Sequence, residues 1–140
     1  MASGVGINAD VIEKFTEMKM GSKHKFVTFC LNDDLTEIVV EKAVQDATYS
    51  DFIAALPEQA CRYAIYDFDY KLADGGQRNK LLFVVWCPDT ARIKDKMLFA
   101  SSKESLRKKL VGINTEVQAT ELSEVDYDEI LDKVSAGLTK

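Results

Sequence analysis

Histidine, proline and cysteine are all scarce in this chain. Its 140 residues include one histidine, two prolines and three cysteines. A metal centre built from several imidazoles is therefore excluded. The few prolines, the lack of a visible linker or repeat and a 46% hydrophobic composition favour one compact domain with a single core. We expect this domain to span residues 1–140, with a flexible N-terminus over about residues 1–6.

Long apolar runs are also missing. Nowhere do about eighteen apolar residues occur together, as a membrane-spanning helix requires, and the first residues lack a charged segment followed by an apolar run. We therefore expect a cytosolic protein, with the nucleus as a second location. Cys30, Cys61 and Cys87 form an odd set with no close pair, each in an apolar, strand-like context. This predicts reduced, buried thiols.

The charge of the chain is acidic overall but unevenly distributed. A formal net charge of −5 argues against nucleic acid as the main partner, because phosphate binding needs a dominant basic surface. Between Arg92 and Lys109, however, seven basic residues face two acidic ones. From Glu116 to Asp132 there are seven acidic residues and no basic one. This segregation predicts oriented docking on a partner.

Residues 89–110 have the pattern of one long helix. Its core stripe is expected to be Phe99, Ser102, Leu106 and Leu110, and the opposite line is Lys94, Met97, Ser101, Glu104 and Lys108. Burying Met97 would also bury Lys94 and Lys108, which is costly for unpaired ammonium groups. Met97 is therefore predicted to be exposed. The alternative is an ordinary solvated helix with one stray apolar side chain.

The remaining pattern predicts an α+β fold. A central mixed sheet should be flanked by helices on both faces, with one strand joined in parallel by a right-handed helical crossover. The final helix should be capped by Ser123 and ended by Gly137. Helices are predicted at about 9–20, 48–56 and 123–137 besides the long one, and strands at 26–31, 36–41, 62–72, 80–87 and 113–119.

A search for catalytic residues finds no convincing set. His24 is predicted to be a solvated loop residue without a partner. Asp67 and Asp69 share one face of a strand but have no histidine or third acid nearby in sequence. Residues 75–80 read as a hairpin turn, not as a phosphate loop. We predict no catalytic residue, no metal and no cofactor, and hence a binding module; a small enzyme that uses His24 or one cysteine is the alternative.

Several motifs in order resemble the actin-depolymerising factor and cofilin family over essentially the whole chain. They are Met1-Ala2-Ser3-Gly4-Val5, Tyr63-Ala64-Ile65-Tyr66-Asp67-Phe68, Trp86-Cys87-Pro88-Asp89-Thr90-Ala91, Lys94-Asp95-Lys96-Met97, Ala100-Ser101-Ser102-Lys103, Gly112-Ile113 and Glu116-Val117-Gln118-Ala119-Thr120. The resemblance implies a single domain with a five-stranded mixed sheet. It implies binding to ADP-actin monomers and filaments, with severing and depolymerisation and no covalent chemistry. A coactosin-like filament binder that does not sever is the alternative within this fold.

The resemblance also implies which residues contact actin. In relatives the long helix enters the hydrophobic cleft between actin subdomains 1 and 3, with Met97 as an adaptable apolar anchor. The monomer contact would comprise Ser3, Gly4, Val5, Lys94, Lys96, Met97, Lys103, Glu104, Arg107 and Lys108. A second contact, needed for filaments, would comprise Arg78, Lys80, Asp132 and Lys133.

Regulation follows from the same resemblance. Ser3 matches the inhibitory phosphorylation position, where roughly −1.5 to −2 added charges should weaken binding to acidic actin. Phosphoinositide headgroups could compete for Lys94, Lys96, Lys103, Lys108 and Lys109, whose alternative role is solubility. Two positions depart from the family pattern. Arg92 stands where relatives commonly have proline at the helix start, and Ala136 stands where they commonly have a basic residue near the end of the last helix.

Overall fold

The computed structural model describes residues 5–21, 24–71, 74–113 and 115–136. The elements are β1 Gly6–Ile7, α1 Ala9–Gly21, β2 Phe26–Leu31, β3 Glu37–Val44, α2 Tyr49–Ala54, β4 Arg62–Lys71, β5 Gln77–Trp86, α3 Ile93–Lys109, β6 Thr115–Ala119, a 3-10 turn at Leu122–Val125, and α4 Tyr127–Ala136. Among the described helices, none has the length and apolar character needed to cross a membrane.

The strands form one mixed sheet in the order β1-β3-β2-β4-β5-β6. The outer pairs β1–β3 and β5–β6 are parallel, and the inner pairs are antiparallel. The α+β class and the parallel crossover through α3 are confirmed. The predicted count of five strands is wrong, because β1 adds a sixth. That strand has only two residues, too few to show an alternating pattern, and it is fixed by the Gly6 amide donating to the Thr36 carbonyl at 2.8 Å.

The sheet divides the hydrophobic core into two clusters, not the single core expected. One cluster holds side chains of α1 and α3, and the other holds side chains of α2 and α4. β5 contributes to both, with Phe83 in the first and Leu82 and Val84 in the second. A strand that is apolar on both alternating sides is typical of a central position covered on both faces. The prediction of helices on both faces of the sheet is confirmed.

The helix ends follow local capping chemistry in two ways. Thr48 caps α2 through a reciprocal box with Asp51. The predicted Ser123 cap is wrong. The reciprocal box there is formed by Glu121 and Glu124 around the 3-10 turn, and the Ser123 hydroxyl donates to the Glu121 carboxylate at 2.6 Å. The predicted end at Gly137 lies outside the described residues.

His24 lies between α1 and β2, outside any helix or strand, as expected of a loop residue, but it is buried and has a partner, so the prediction of a solvated, unpartnered side chain is wrong. Its side chain is 6% exposed, and its Nε2 lies 2.6 Å from Oε1 of Glu17 on α1. The carboxylate is the partner of one ring nitrogen, whereas the other, Nδ1, is buried without a hydrogen bond to any described residue. The sequence neighbours of His24 gave no sign of this partner, which reaches it only because α1 packs beside the start of β2.

Candidate functional site

Helix α3 buries the stripe that its sequence predicted. Phe99, Ser102 and Leu106 are buried along the helix, and Leu110 is buried directly after it. The Tyr63 hydroxyl of β4 donates to the Phe99 carbonyl, which adds a polar tie between the helix and the sheet. The helix is therefore fixed on the sheet by its inner face, and its outer face is presented to solvent in a defined orientation.

The outer face of α3 carries an apolar ridge. Met97 is 65% exposed, which confirms the prediction for that residue, and Ile93 is 71% exposed. The two residues are four positions apart, so their side chains are neighbours on the helix surface. Ile93 was not singled out from the sequence, although its spacing to Met97 could have revealed it. The exposed apolar surface of α3 is therefore formed by two neighbouring side chains and not by a single stray methionine.

The two lysines predicted to dock lie on opposite flanks of this ridge. Lys94 is exposed and lines a groove of about 500 Å³ with Arg92 and Asp95. Lys96 is partly buried, donates to the Asp89 carbonyl at 3.2 Å, and lines a second groove of about 370 Å³. Cationic groups thus border the apolar ridge on both sides. A partner with an apolar cleft and acidic rims would match this arrangement.

The charged residues predicted for the contact further along α3 fall into two groups. Lys103 and Arg107 share the carboxylate of Glu116 on β6, with N–O distances of 3.0 and 3.2 Å. Glu104 and Lys108 are exposed on the ridge side of the helix. The Glu116 clamp was missed from the sequence, where this residue was counted only as part of an acidic segment. It holds two predicted contact residues in place beside β6.

The protonation of Glu116 is set by this clamp. Partial burial raises the pKa of its carboxyl, but the hydrogen bonds from Lys103, Gln118 and Arg107 lower this pKa by more than burial raises it. The net pKa therefore lies below the ordinary 4.5. A depressed pKa in the folded state contributes stability above the unfolded-state value. That contribution disappears as the pH falls through the folded-state pKa.

Glu116→Gln should therefore lower the free energy of unfolding at pH 7 by up to about 1 kcal/mol. The difference from the wild type should shrink when urea unfolding is repeated at pH values falling below 4.5. Glu13→Gln, at an exposed carboxylate on α1, is the matched control and should change little at either pH. A Glu116→Gln difference that stays constant down to pH 3 would show that the clamp does not set this pKa.

The N-terminal segment enters the same layer as α3. Val5 is buried in the cluster that contains Phe99 and Leu106, so its side chain faces the core. Gly6 is the last residue of the segment predicted to be flexible, about residues 1–6, and it is the first residue of β1. Ser3 and Gly4 lie outside the described residues.

The residues predicted to contact a second actin subunit lie on α4 and near the turn of the β4–β5 hairpin. The backbone of Arg78 pairs with Tyr70. Lys80 donates from Nζ to the Val134 carbonyl in the last turn of α4 at 3.0 Å. Asp132 and Lys133 are exposed on that helix. Because α3 and α4 pack on opposite faces of the sheet, the two predicted surfaces are well separated.

The acidic pair considered for chemistry does not form one site. Asp67 accepts from the Asn79 side-chain amide at 2.8 Å, and Asp69 lies 2.9 Å from the Lys25 ammonium. Each carboxylate therefore has its own partner. Within the described part of the chain, no three side chains of histidine, cysteine, aspartate or glutamate gather as metal ligands.

Two of the cysteines, by contrast, are brought together. Cys61 belongs to the buried cluster with Phe99 and Leu106, and Cys87 packs against the same cluster, although 26 positions separate the two in the chain. Their spacing in sequence gave no close pair, and the proximity depends on the pairing of β4 with β5. The pair lies at the open end of the β4–β5 hairpin, opposite to its turn, where the chain leaves β5 toward α3.

Comparison with known proteins agrees with this fold. A sequence profile described as cofilin/tropomyosin-type actin-binding protein matches residues 4–135. The cofilin of Mycosarcoma maydis is 55% identical, covering 96% of this chain and 97% of its own length. The crystal structure of Streptomyces griseoflavus cofilin is 47% identical with a TM-score of 0.89, covering 95% of this chain and 98% of that one. Entamoeba histolytica coactosin has a TM-score of 0.85 at 21% identity, covering 99% of both chains, and shows a shared fold alone. The chain therefore belongs to the family of cofilin/tropomyosin-type actin-binding proteins.

Proposed function

We propose that this protein binds ADP-actin monomers and filaments through α3, and severs and depolymerises filaments to accelerate their turnover. The observation that carries the proposal is the Ile93–Met97 ridge with Lys94 and Lys96 on its two flanks. Such a ridge fits the hydrophobic cleft between actin subdomains 1 and 3 that the family resemblance implied. Family membership supports the choice of actin as the partner.

The ridge and its flanks divide the work of binding. Ile93 and Met97 would lose exposed apolar surface in the cleft, which favours association at roughly 25 cal/mol per Å² of area removed from water. Lys94 and Lys96 would orient the encounter with acidic actin and increase its rate. Lys103, Glu104, Arg107 and Lys108 would border the contact, with Ser3 and Gly4 beside it. For Val5, whose side chain is buried, the contribution would come from the backbone.

Severing requires a second contact on the neighbouring subunit of the filament. The β4–β5 hairpin and α4 would provide it through Arg78, Lys80, Asp132 and Lys133. Binding two subunits at once would stabilise a filament twist that bare filaments do not favour. Strain would then concentrate at boundaries between coated and bare stretches, where filaments would break.

Actin pelleting and light scattering test this function directly. A depolymerising protein raises the fraction of actin left in the supernatant and shortens filaments, whereas a coactosin-like side binder pellets with filaments and leaves that fraction unchanged. We expect the first result. The 55% identity to a cofilin supports it, since the coactosin likeness of 21% is limited to the fold.

Arg78→Ala combined with Lys80→Ala should spare monomer binding and weaken filament binding at least about tenfold, about 1.4 kcal/mol. Cosedimentation measures the affinity for filaments, and titration of labelled actin monomers measures the affinity for monomers. Since Lys80 also holds the last turn of α4, thermal melting must be compared with the wild type. Asp132→Ala with Lys133→Ala leaves that hydrogen bond intact and should give the same separation. Equal damage to both activities would contradict two separate surfaces.

Regulation and location are further parts of the proposal. Phosphorylation of Ser3 would place negative charge next to a surface that faces acidic actin, and would weaken binding. Phosphoinositide headgroups would compete for Lys94, Lys96, Lys103, Lys108 and Lys109. The protein would act as a monomer in the cytoplasm, in actin-rich structures, and would also reach the nucleus.

A further inference from the structure

Cys61 and Cys87 lie directly beyond the end of the antiparallel β4–β5 ladder, whose last pair is Arg62 with Trp86. Cys61 precedes Arg62 and Cys87 follows Trp86, so the two cysteines are the facing positions when the register is extended by one residue. Facing residues in antiparallel strands have Cα atoms about 4.5 or 5.5 Å apart. Both distances lie within the roughly 4.4–6.8 Å that a disulfide spans. Both side chains pack in the cluster on the α1 and α3 face of the sheet, so the two sulfur atoms lie on the same side of it.

The two thiols differ in access and in acidity. Cys61 is 2% exposed, whereas Cys87 is partly exposed and lines the groove that also contains Lys96 and Lys103. The neighbouring Cys61 thiol lowers the pKa of Cys87, burial opposes this, and the Lys96 ammonium lowers it again, for a net decrease. The neighbouring Cys87 thiol and burial raise the pKa of Cys61. Cys87 is therefore the reachable nucleophile, and Cys61 is placed to react second.

Cys30 is not equivalent to either of them. Strand alternation turns it to the sheet face of Thr28, whereas the side chain of Cys61 packs with Phe29 and Tyr63. Burial raises the pKa of Cys30, and the nearby Arg62 guanidinium offsets this only in part. Cys30 therefore provides an internal control for reactivity.

We propose that Cys61 and Cys87 form an oxidisable dithiol site whose substrate is a small hydroperoxide. The Cys87 thiolate attacks one peroxide oxygen, the O–O bond breaks, and water or an alcohol leaves after taking a proton. Cys87 is then a sulfenic acid. The Cys61 sulfur attacks the Cys87 sulfur, the S–O bond breaks, and hydroxide leaves as water with the Cys61 proton. Two thiols lose two electrons in total, and the peroxide gains them.

Oxidation would change the start of the α3 surface. The disulfide would join the strands on either side of the hairpin at the point where the chain turns toward α3. It would also remove the Cys87 thiolate that faces Lys96. The dithiol chemistry itself does not depend on actin binding, so it can be tested without actin.

The test uses the full chain, treated with hydrogen peroxide, quenched with N-ethylmaleimide and digested without reduction. Mass spectrometry should find the Cys61 and Cys87 peptides joined, with Cys30 alkylated. In Cys61→Ser, dimedone should trap a sulfenic acid at Cys87. Cys30→Ser should form the same bond at an unchanged rate, and Lys96→Gln should slow oxidation of Cys87 several-fold.

Three results would overturn the proposal. One is a bond between Cys30 and Cys61, and another is disulfides only between separate molecules. The third is full alkylation of all three cysteines after a dose that converts free N-acetylcysteine to its disulfide. Because the principal measurement is made on the unaltered protein, misfolding of a variant cannot account for any of these results.

Discussion

Replacing Lys94 and Lys96 by alanine should weaken binding to actin monomers at least about 30-fold, or about 2 kcal/mol, the range of an interface hot spot. The two side chains flank the apolar ridge of α3 from opposite sides. Their loss would remove attraction to the acidic rims of the cleft on both flanks at once. It would also slow the encounter, because a locally positive face steers an acidic partner into the correct orientation.

Fluorescence titration of labelled ADP-actin monomers measures this loss. The matched control is Lys42→Ala with Lys71→Ala, which removes the same charge from exposed positions in β3 and at the far end of β4. The control should bind within about twofold of the wild type. Thermal melting should change only slightly for the docking pair, since Lys94 is exposed and the partly buried Lys96 loses a single hydrogen bond, to the Asp89 carbonyl. Equal weakening in both pairs would mean that net charge, and not the ridge, governs binding.

Leu106→Ala should lower the free energy of unfolding by about 3 kcal/mol, within the roughly 2–5 kcal/mol seen for such core truncations. Leu106 is fully buried where α3 packs on the sheet, in the cluster with Phe83 and Phe99. Removing its outer carbons would lose apolar burial and leave a cavity that the rigid β5 strand can fill only in part.

Met97→Ala on the same helix is the matched control. Met97 is 65% exposed, and its truncation should change the unfolding free energy by less than about 0.5 kcal/mol. The same variant should weaken actin binding, which separates the two faces of α3 in one experiment. Urea unfolding measures both stabilities. Similar losses for the two variants would show that the outer face also packs against the protein.

The sequence was most informative where structure follows local periodicity. The buried and exposed lines of α3 could be assigned because positions on a helix repeat about every 3.6 residues. The cap of α2 at Thr48 follows from a short-range hydrogen-bond pattern of the same kind. The strands β4 and β5 were found because β-branched and aromatic residues fill them on both sides.

What the sequence did not reveal depends on contacts between distant positions. The Glu17 partner of His24, the Glu116 clamp and the Cys61–Cys87 pair each join residues from different elements. Their formation depends on which strands become neighbours, and no local pattern encodes that order. The strand β1 escaped for a different reason, since two residues carry too little pattern to recognise.

The site residues are a mixture of both cases. The exposure of Met97 followed from its place on the helical wheel. The flanking positions of Lys94 and Lys96 also follow from that wheel, but the grooves beside them exist only because α3 packs next to the ends of β2 and β4 on one flank and of β5 and β6 on the other. The assignment of actin as the partner came from family resemblance, since charge and periodicity indicate only some acidic, clefted protein.

The two edges of the sheet affect whether the protein aggregates at high concentration. An edge strand has unpaired backbone groups on which another chain can add a strand, and this is a common start of aggregation. At one edge β1 pairs with β3 only at Glu37 and Ile38, so residues 39–44 of β3, which include the exposed Glu41 and Lys42, form the rest of that edge. The other edge is the five-residue β6, which carries the ion-paired Glu116. Charged side chains on both edges discourage such addition. Many copies could therefore crowd side by side on a polymer without their sheets fusing.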